Sequence, residues 1–393
     1  MGSSFFTGVK EALPDPIFQL MTAFKEDPRV DKVNLGVGLY QDESLQTPIL
    51  KSVKAAEKYL LAHETTKEYL PISGDPGYVE GIEKLLFGKK EKHVCGLQAP
   101  GGTGSLRIGA EFLHETVGKD VLVPDPTWPN HVAVFKQCGY QIHRYPYYKN
   151  HRLYMEGILD ALRKAPKRSV VVLHACCHNP TGADPSDAQW KEIEKVLVEK
   201  ELFPFFDFAY QGLGRGIEED AAVIRSLASQ SIEFMVACSQ SKNFGLYSER
   251  VGALFVHTAS GKVVLSHLKR LARASYSNPP RHGAAIAAQI LANAELHTMW
   301  RREVDAMRSR IMGLRTALVT ALQEKQKGHD FSFLLPRVGM FCFLGLKEAQ
   351  VEKLRKDHGI YMAAEGRINL AGLTLQNVPK VATSICSVLR EIS

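Results

Sequence analysis

The sequence predicts an α/β fold: a large domain with a mostly parallel central sheet covered by helices, joined to a smaller α+β domain. Three observations predict it. Between about residues 95 and 256, short Val- and Phe-rich runs alternate with helical patterns. Those runs are apolar almost throughout, as in strands buried on both faces of a parallel sheet. After "SNPPRHGAA" (277–285) the texture changes to long charged helices followed by short strands.

Taken in order, the strand candidates are "DVLVPDP", "RSVVVLHACC", "LFPFFDFAY", "IEFMVACSQ" and "VGALFVH". Each is short, and most stop at Pro, Gly, Asp or Ser, so all read as buried parallel strands. Helical patterns such as "SLRIGAEFLHETVG" and "SDAQWKEIEKVLVEKE" lie between them. The second sets Trp190, Ile193, Val196 and Leu197 on one face, with Ser186 placed as its N-cap. Strand and helix in alternation build a sheet covered on both sides. Residues 293–326 read as one or two long amphipathic helices, and "FSFLLP" and "GMFCFLGL" as short strands of a smaller unit. No repeat or flexible linker interrupts the chain. The expected division is an N-terminal arm (1–12), a first part of the small domain (13–45), a large domain (46–306) and the rest of the small domain (307–393).

Composition excludes several classes. A net charge of +7, with no long basic run, suits anionic small molecules and gives no nucleic-acid footprint. Seven cysteines without a CxxC pair argue against a disulfide framework and for a reducing compartment. The N-terminus "MGSSFFTGVK" is no secretory signal, and Phe6 breaks the myristoylation pattern. No apolar run approaches the ~20 residues that span a bilayer. The expectation is a soluble cytoplasmic protein with no membrane partner.

Ligands of doubly wound sheets bind at the carboxyl ends of the strands, so the polar residues just beyond each strand carry the chemistry. They are "GGTG" (101–104), Asp125 with Trp128, Asn179, Asp207 with Tyr210, and Ser239, Ser241 and Lys242. The "GGTGS" turn opens a helix whose N–H groups can hold a phosphate. It is no dinucleotide fingerprint, since Arg107 stands at the third glycine position, and it lacks the GK[ST] ending of a P-loop. Ser239, Ser241 and the forked guanidinium of Arg250 could complete a phosphate cup.

Asp207 ends a strand that is apolar almost throughout. It is either a helix cap, a paired structural carboxylate, or the partner of a protonated heterocyclic nitrogen. Lys242, at the end of a buried strand beside Arg250, should have a lowered pKa, which makes it a candidate Schiff-base amine. "HACCH" (174–178) holds metal-type residues, but on a strand end successive side chains diverge, and neither HExxH nor CxxC occurs. No metal is expected. Arg273 and Arg367, each in a Gly- or Pro-bounded turn, read as carboxylate clamps.

Together these residues resemble the pyridoxal-phosphate aminotransferases of fold type I, most closely the aspartate and aromatic aminotransferase subgroup. Nine motifs follow in family order from residue 33 to 372: "VNLGVGLY", "ETTKEYLPISG", "GGTGSLR", "DPTWPNH", "HACCHNPTG", "DFAYQG", "SQSKNFGLYSERVG", "YSNPP" and "GRINLAG". The resemblance implies that Lys242 holds pyridoxal 5'-phosphate covalently and then shuttles the substrate proton. Asp207 would keep the pyridine nitrogen protonated, with His131 supporting it. Tyr210 and Asn179 would hydrogen-bond the ring's phenolic oxygen, and Trp128 would stack on the ring. Gly102, Thr103, Ser239, Ser241 and Arg250 would hold the phosphate, joined by Tyr69 from the neighbouring subunit of a homodimer. Arg367 would clamp the α-carboxylate of amino acids and 2-oxo acids, and Arg273, again from the neighbour, a distal carboxylate. Gly38 would lie at the mouth.

The implied reaction is transfer of the amino group of L-aspartate to 2-oxoglutarate in two half-reactions. Thr47, Thr103 and Asn278 resemble the aspartate branch, Leu39 and "YLPISG" the aromatic one, so aromatic or dual specificity is the alternative. A different reaction of the same cofactor is disfavoured by the paired arginines. A non-catalytic regulator usually carries an appended DNA-binding region, for which this chain has no room.

Overall fold

Seven strands build the central sheet of the computed structural model, which describes residues 4–12 and 15–391; expectations for residues 1–3, 13–14 and 392–393 lie outside it. The strands are β1 (Val94–Pro100), β2 (Asp120–Asp125), β3 (Gln141–Pro146), β4 (Val170–His174), β5 (Phe203–Phe208), β6 (Phe234–Ser239) and β7 (Val251–His257). Their spatial order is β1-β7-β6-β5-β4-β2-β3. All neighbours are parallel except β7, which is antiparallel to both β1 and β6.

Alternate residues of each strand enter two separate cores, as the period-2 geometry of a strand requires. Phe205, Met235 and Leu254 face the helices Gly101–Thr116 and Gly261–Ser275. Phe206, Val236 and Phe255 face the other side with most of the remaining helices. Burial on both faces is why these segments are apolar runs.

Two expectations are corrected, and one strand is added. "VGALFVH" is antiparallel: residues 240–250 contain no crossover helix, and a parallel return needs one. The edge strand β3, "QIHRYP", had no apolar signal because it is largely exposed. "FSFLLP" forms a single 3-10 turn at Ser332–Leu334 instead of a strand.

Ser186 caps its helix as expected: its Oγ accepts the Gln189 N–H, and Gln189 Oε1 accepts the Ser186 N–H. The 293–326 pattern is one unbroken helix, Ala294–Lys325, that runs through residue 306. Val33–Asn34 pairs with Ile360–Tyr361, so the first part of the chain returns to the C-terminal unit. Phe341–Phe343 pairs antiparallel with Arg367–Asn369 in a second short ribbon.

Trp300 joins the long helix to the loop after β6. It is fully buried, stacks on Phe244 at 4.5 Å, and donates its indole N–H to the Asn243 carbonyl at 2.8 Å. Trp300→Ala should cost about 3–5 kcal/mol in urea unfolding. Trp300→Phe, which loses chiefly the hydrogen bond, should cost about 1–3 kcal/mol. A loss for Trp300→Ala no greater than for an exposed site would contradict this anchoring.

Candidate active site

The parallel strands β1, β2, β4, β5 and β6 deliver their carboxyl ends to one rim of the sheet, and β7, running the other way, starts there. Arg250, directly before β7, therefore lies on the same rim as Lys242. Between this rim and the small C-terminal unit is a cavity of about 250 Å³.

At one end of the cavity, the helix Gly101–Thr116 begins where β1 stops, and its N-cap, Pro100, offers no side-chain acceptor to the first turn. Gly101 has φ +73°, and a Cβ there would lie 2.4 Å from Arg250 Nη2. A Cβ on Gly252 would lie 2.4 Å from the Gly101 carbonyl carbon. Bare backbone at both positions lets the helix start, β7 and Arg250 close together. Ser239 Oγ donates to Ser241 Oγ at 3.1 Å beside Gly102 and Thr103. Arg250 is exposed, donates to the Tyr247 carbonyl at 3.1 Å, and pairs with no carboxylate among the described residues. Such a set of free N–H groups, hydroxyls and one cation suits a phosphate.

In the middle, Asp207 Oδ2 accepts the Nε2–H of His131 at 2.9 Å, and His131 Nδ1 accepts the Thr127 hydroxyl at 2.8 Å. Burial alone pushes the Asp207 carboxyl up. The His131 hydrogen bond, followed by the electrostatic influence of His131, His174 and Lys242, outweighs it, so the carboxyl stays below its usual range and remains ionised. Lys242 Nζ lies 5.2 Å from the centre of the Tyr210 ring. Burial lowers its pKa, the Arg250 charge lowers it further, and Asp207 opposes both. Burial raises the Tyr210 hydroxyl, which stays protonated. Trp128, edge-on to His131 at 5.4 Å, and Asn179 complete this part of the lining.

Arg367, which also lines the cavity, is 6% exposed. Its Nη1 donates to Asn179 Oδ1 at 3.2 Å and its Nη2 to the Gly36 carbonyl at 2.9 Å, while Nε has no partner. Gly38 lines the cavity beside it.

Twelve of the residues singled out from sequence thus meet in one cavity. Tyr69 and Arg273 do not. Tyr69 is 92% exposed, and Arg273 is exposed with its Nη1 on Ser277 Oγ at 2.5 Å.

Sequence reasoning missed Ile17, Leu106, His174, Ala209 and Phe341, which also line the cavity. His174 had been set aside with "HACCH". It is buried, both its ring nitrogens lack partners, and burial and then the nearby His131 lower its pKa to about 3. The expected divergence within "HACCH" is also corrected. Cys177 has φ +53°, which turns both thiols toward Asp220, with ligand atoms within 4.8 Å of one another. Asp220 already accepts the N–H groups of Gly212, Gly214 and Arg215, and burial raises both thiols.

The residues present fit the pyridoxal phosphate that the resemblance implies. A donor cup suited to an anion, an ionised buried carboxylate and an amine of lowered pKa share one cavity.

The class I and II aminotransferase family model matches residues 30–385. The aspartate aminotransferase of Escherichia coli (strain K12) is 46% identical over 98% of this chain and 100% of its own length. The tyrosine aminotransferase of Klebsiella pneumoniae is 43% identical over 95% and 98%. Among solved structures, the aromatic-amino-acid aminotransferase of Burkholderia pseudomallei, covalently bound to pyridoxal phosphate, superposes with a TM-score of 0.95. It is 44% identical over 98% of this chain and all of that one. The α/β architecture expected from the sequence, fold type I, is the one observed. The chain belongs to the class I and II aminotransferases.

Proposed function

We propose that this chain is a pyridoxal-phosphate-dependent aspartate aminotransferase. It moves the amino group of L-aspartate to 2-oxoglutarate, giving oxaloacetate and L-glutamate in two half-reactions. One observation carries the reading. The Lys242 amine and the ionised Asp207 enter a single cavity with a cationic phosphate cup and a buried arginine that has no carboxylate partner among the described residues.

Pyridoxal phosphate, when bound, supplies an electron sink for the charge left as the substrate Cα loses its proton. The chain's own residues do the rest. Lys242, whose pKa burial depresses, would take the proton from the substrate Cα and return one to the carbon of the bound group that receives the amino nitrogen. Asp207, kept ionised by His131, accepts a ring N–H and keeps that nitrogen protonated. Tyr210 and Asn179 donate to the ring's phenolic oxygen, and Trp128 covers one ring face. Gly102, Thr103, Ser239, Ser241 and Arg250 fix the phosphate. Arg367 takes the α-carboxylate in a two-pronged contact.

Tyr69 and Arg273 serve the site of the neighbouring subunit in a homodimer. Their exposure away from their own cavity supports this, as do the exposed apolar side chains Phe5, Leu61 and Ile49. Residues 46–306 form the cofactor-binding domain, and 13–45 with 307–393 the smaller one. Pairing of Val33–Asn34 with Ile360–Tyr361 supports that division. No helix among the described residues is long and apolar enough to cross a membrane, and all seven cysteines are free, which supports a cytoplasmic setting. Aromatic substrates are the second reading. Arg273 is exposed and pairs with no carboxylate among the described residues, so it can swing aside for an uncharged side chain.

Titrating the holoprotein's visible absorption band with L-aspartate and then L-phenylalanine separates the readings. Aspartate should remove the band at low concentration and phenylalanine only slowly. Equal or faster conversion by phenylalanine moves the chain to the aromatic branch, and no band at all sinks the cofactor reading. A second test concerns charge. Asp207 holds the proton on Lys242, so Asp207→Asn should lower the amine pKa further. Reductive trapping of Lys242 by an aldehyde in cofactor-free protein should then extend to lower pH; a shift to higher pH contradicts the assignment. The composite site has its own check. Lys242→Ala and Arg273→Leu homodimers should both be poor with aspartate, and subunit exchange between them should restore about a quarter of wild-type activity. No recovery after verified exchange would place Arg273 outside the neighbour's site.

A further inference from the structure

Arg367 is an unusual cation. It is buried, no carboxylate pairs with it among the described residues, and its Nε is unpartnered. A buried charge left this way is costly unless something compensates it. Beneath it lies Phe341, its ring centre 4.6 Å from the guanidinium carbon.

The ribbon sets this contact. Phe341 stands opposite Asn369, and Phe343 opposite Arg367. Residues two apart on a strand share a face, so Phe341 and Arg367 are diagonal neighbours on one side of the ladder, within reach of an aromatic and a long side chain. Asn369, on the same face, donates to the Val37 and Leu39 carbonyls at 2.6 Å each. A Cβ at Gly38 would lie 3.4 Å from Phe341 Cζ, and the Tyr210 ring meets Phe341 edge-on at 5.9 Å. The ring is therefore fixed from several sides and is 3% exposed.

We propose that Phe341 is a positioning residue for substrate binding: its π face steadies the Arg367 guanidinium while leaving the nitrogen edge open for an α-carboxylate. A carboxylate in its place would stabilise the cation more strongly, but would compete with the substrate for the same N–H groups. The ring attracts the charge without neutralising it. This rests on the aminotransferase reading above, in which Arg367 receives the α-carboxylate.

The test uses the holoprotein. Phe341→Leu removes the π face, Phe341→Met does so at nearly conserved volume, and Phe341→Tyr keeps it. The substrates are L-aspartate and 2-oxoglutarate. The binding probe is 3-aminopropanoate, which is aspartate without its α-carboxylate. In the Leu and Met variants, KM for both substrates should rise roughly tenfold, the scale of a desolvated cation–π contact, with kcat within about twofold. Affinity for 3-aminopropanoate should not change, and Phe341→Tyr should restore the wild-type KM. Equal weakening of aspartate and 3-aminopropanoate would reduce Phe341 to a wall of the cavity and overturn the proposal. A fall in kcat at constant KM would also overturn it, because the ring would then act through Tyr210. Wild-type protein that does not turn over aspartate fails the functional reading and this inference together. Unchanged KM in both the Leu and Met variants, beside active wild type, fails this inference alone.

Discussion

The hydrogen bond between His131 and Asp207 is the contact on which the rest of the site depends. A carboxylate at the end of a strand as apolar as "LFPFFDF" would normally take up a proton, because burial penalises its charge. The buried imidazole, itself fixed by the Thr127 hydroxyl, reverses that outcome. Once Asp207 is an anion, everything around it follows. It offers an acceptor to a proton-bearing nitrogen, and it opposes the burial and the Arg250 charge that lower the Lys242 pKa. Asp207 sits between β4 and β6 in the sheet, so the anion is held by backbone with little freedom to relax.

The cations are arranged on a different rule. Arg250 and Arg367 both line the cavity, and neither is paired with a carboxylate among the described residues. Each is held by carbonyl or amide oxygens, and Arg367 also by an aromatic face. Neutral partners orient a guanidinium without consuming its capacity for an anion. Two cations left in this state suit a cavity that receives anionic groups.

Much of this could be read from the sequence, for a specific reason. Strands buried on both faces are apolar to their ends, so the first polar residue after each one marks the rim. Asp207, Asn179, Ser239 and Lys242 were visible in that way, as was the Ser186 cap. What could not be read depended on contacts between distant segments. The direction of β7 rests on the absence of a crossover helix between residues 240 and 250, a negative signal. Phe341 looked like any core aromatic, because its meaning lies in a diagonal register with Arg367 across a ribbon. His174 was hidden inside a metal-like string, and Cys177 departs from the strand geometry assumed for it through a left-handed φ. Tyr69 and Arg273 were visible as residue types, yet nothing within one chain gathers them to the cavity.

The unbroken helix Ala294–Lys325 has a mechanical consequence. At 1.5 Å per residue its 32 residues span about 48 Å. Near its start Trp300 grips the loop that carries Lys242; further along, Arg310 donates to the carbonyls of Gln41 and Leu373. One stiff rod is thus clamped to the nucleophile's loop at one point and to both chain segments around Arg367 at another. Sliding the C-terminal unit over the sheet would have to compress or stretch that rod, which a helix resists. Pivoting about its axis or bending it slightly costs far less. Relative movement of the two segments clamped to the helix is therefore confined to such pivoting and bending.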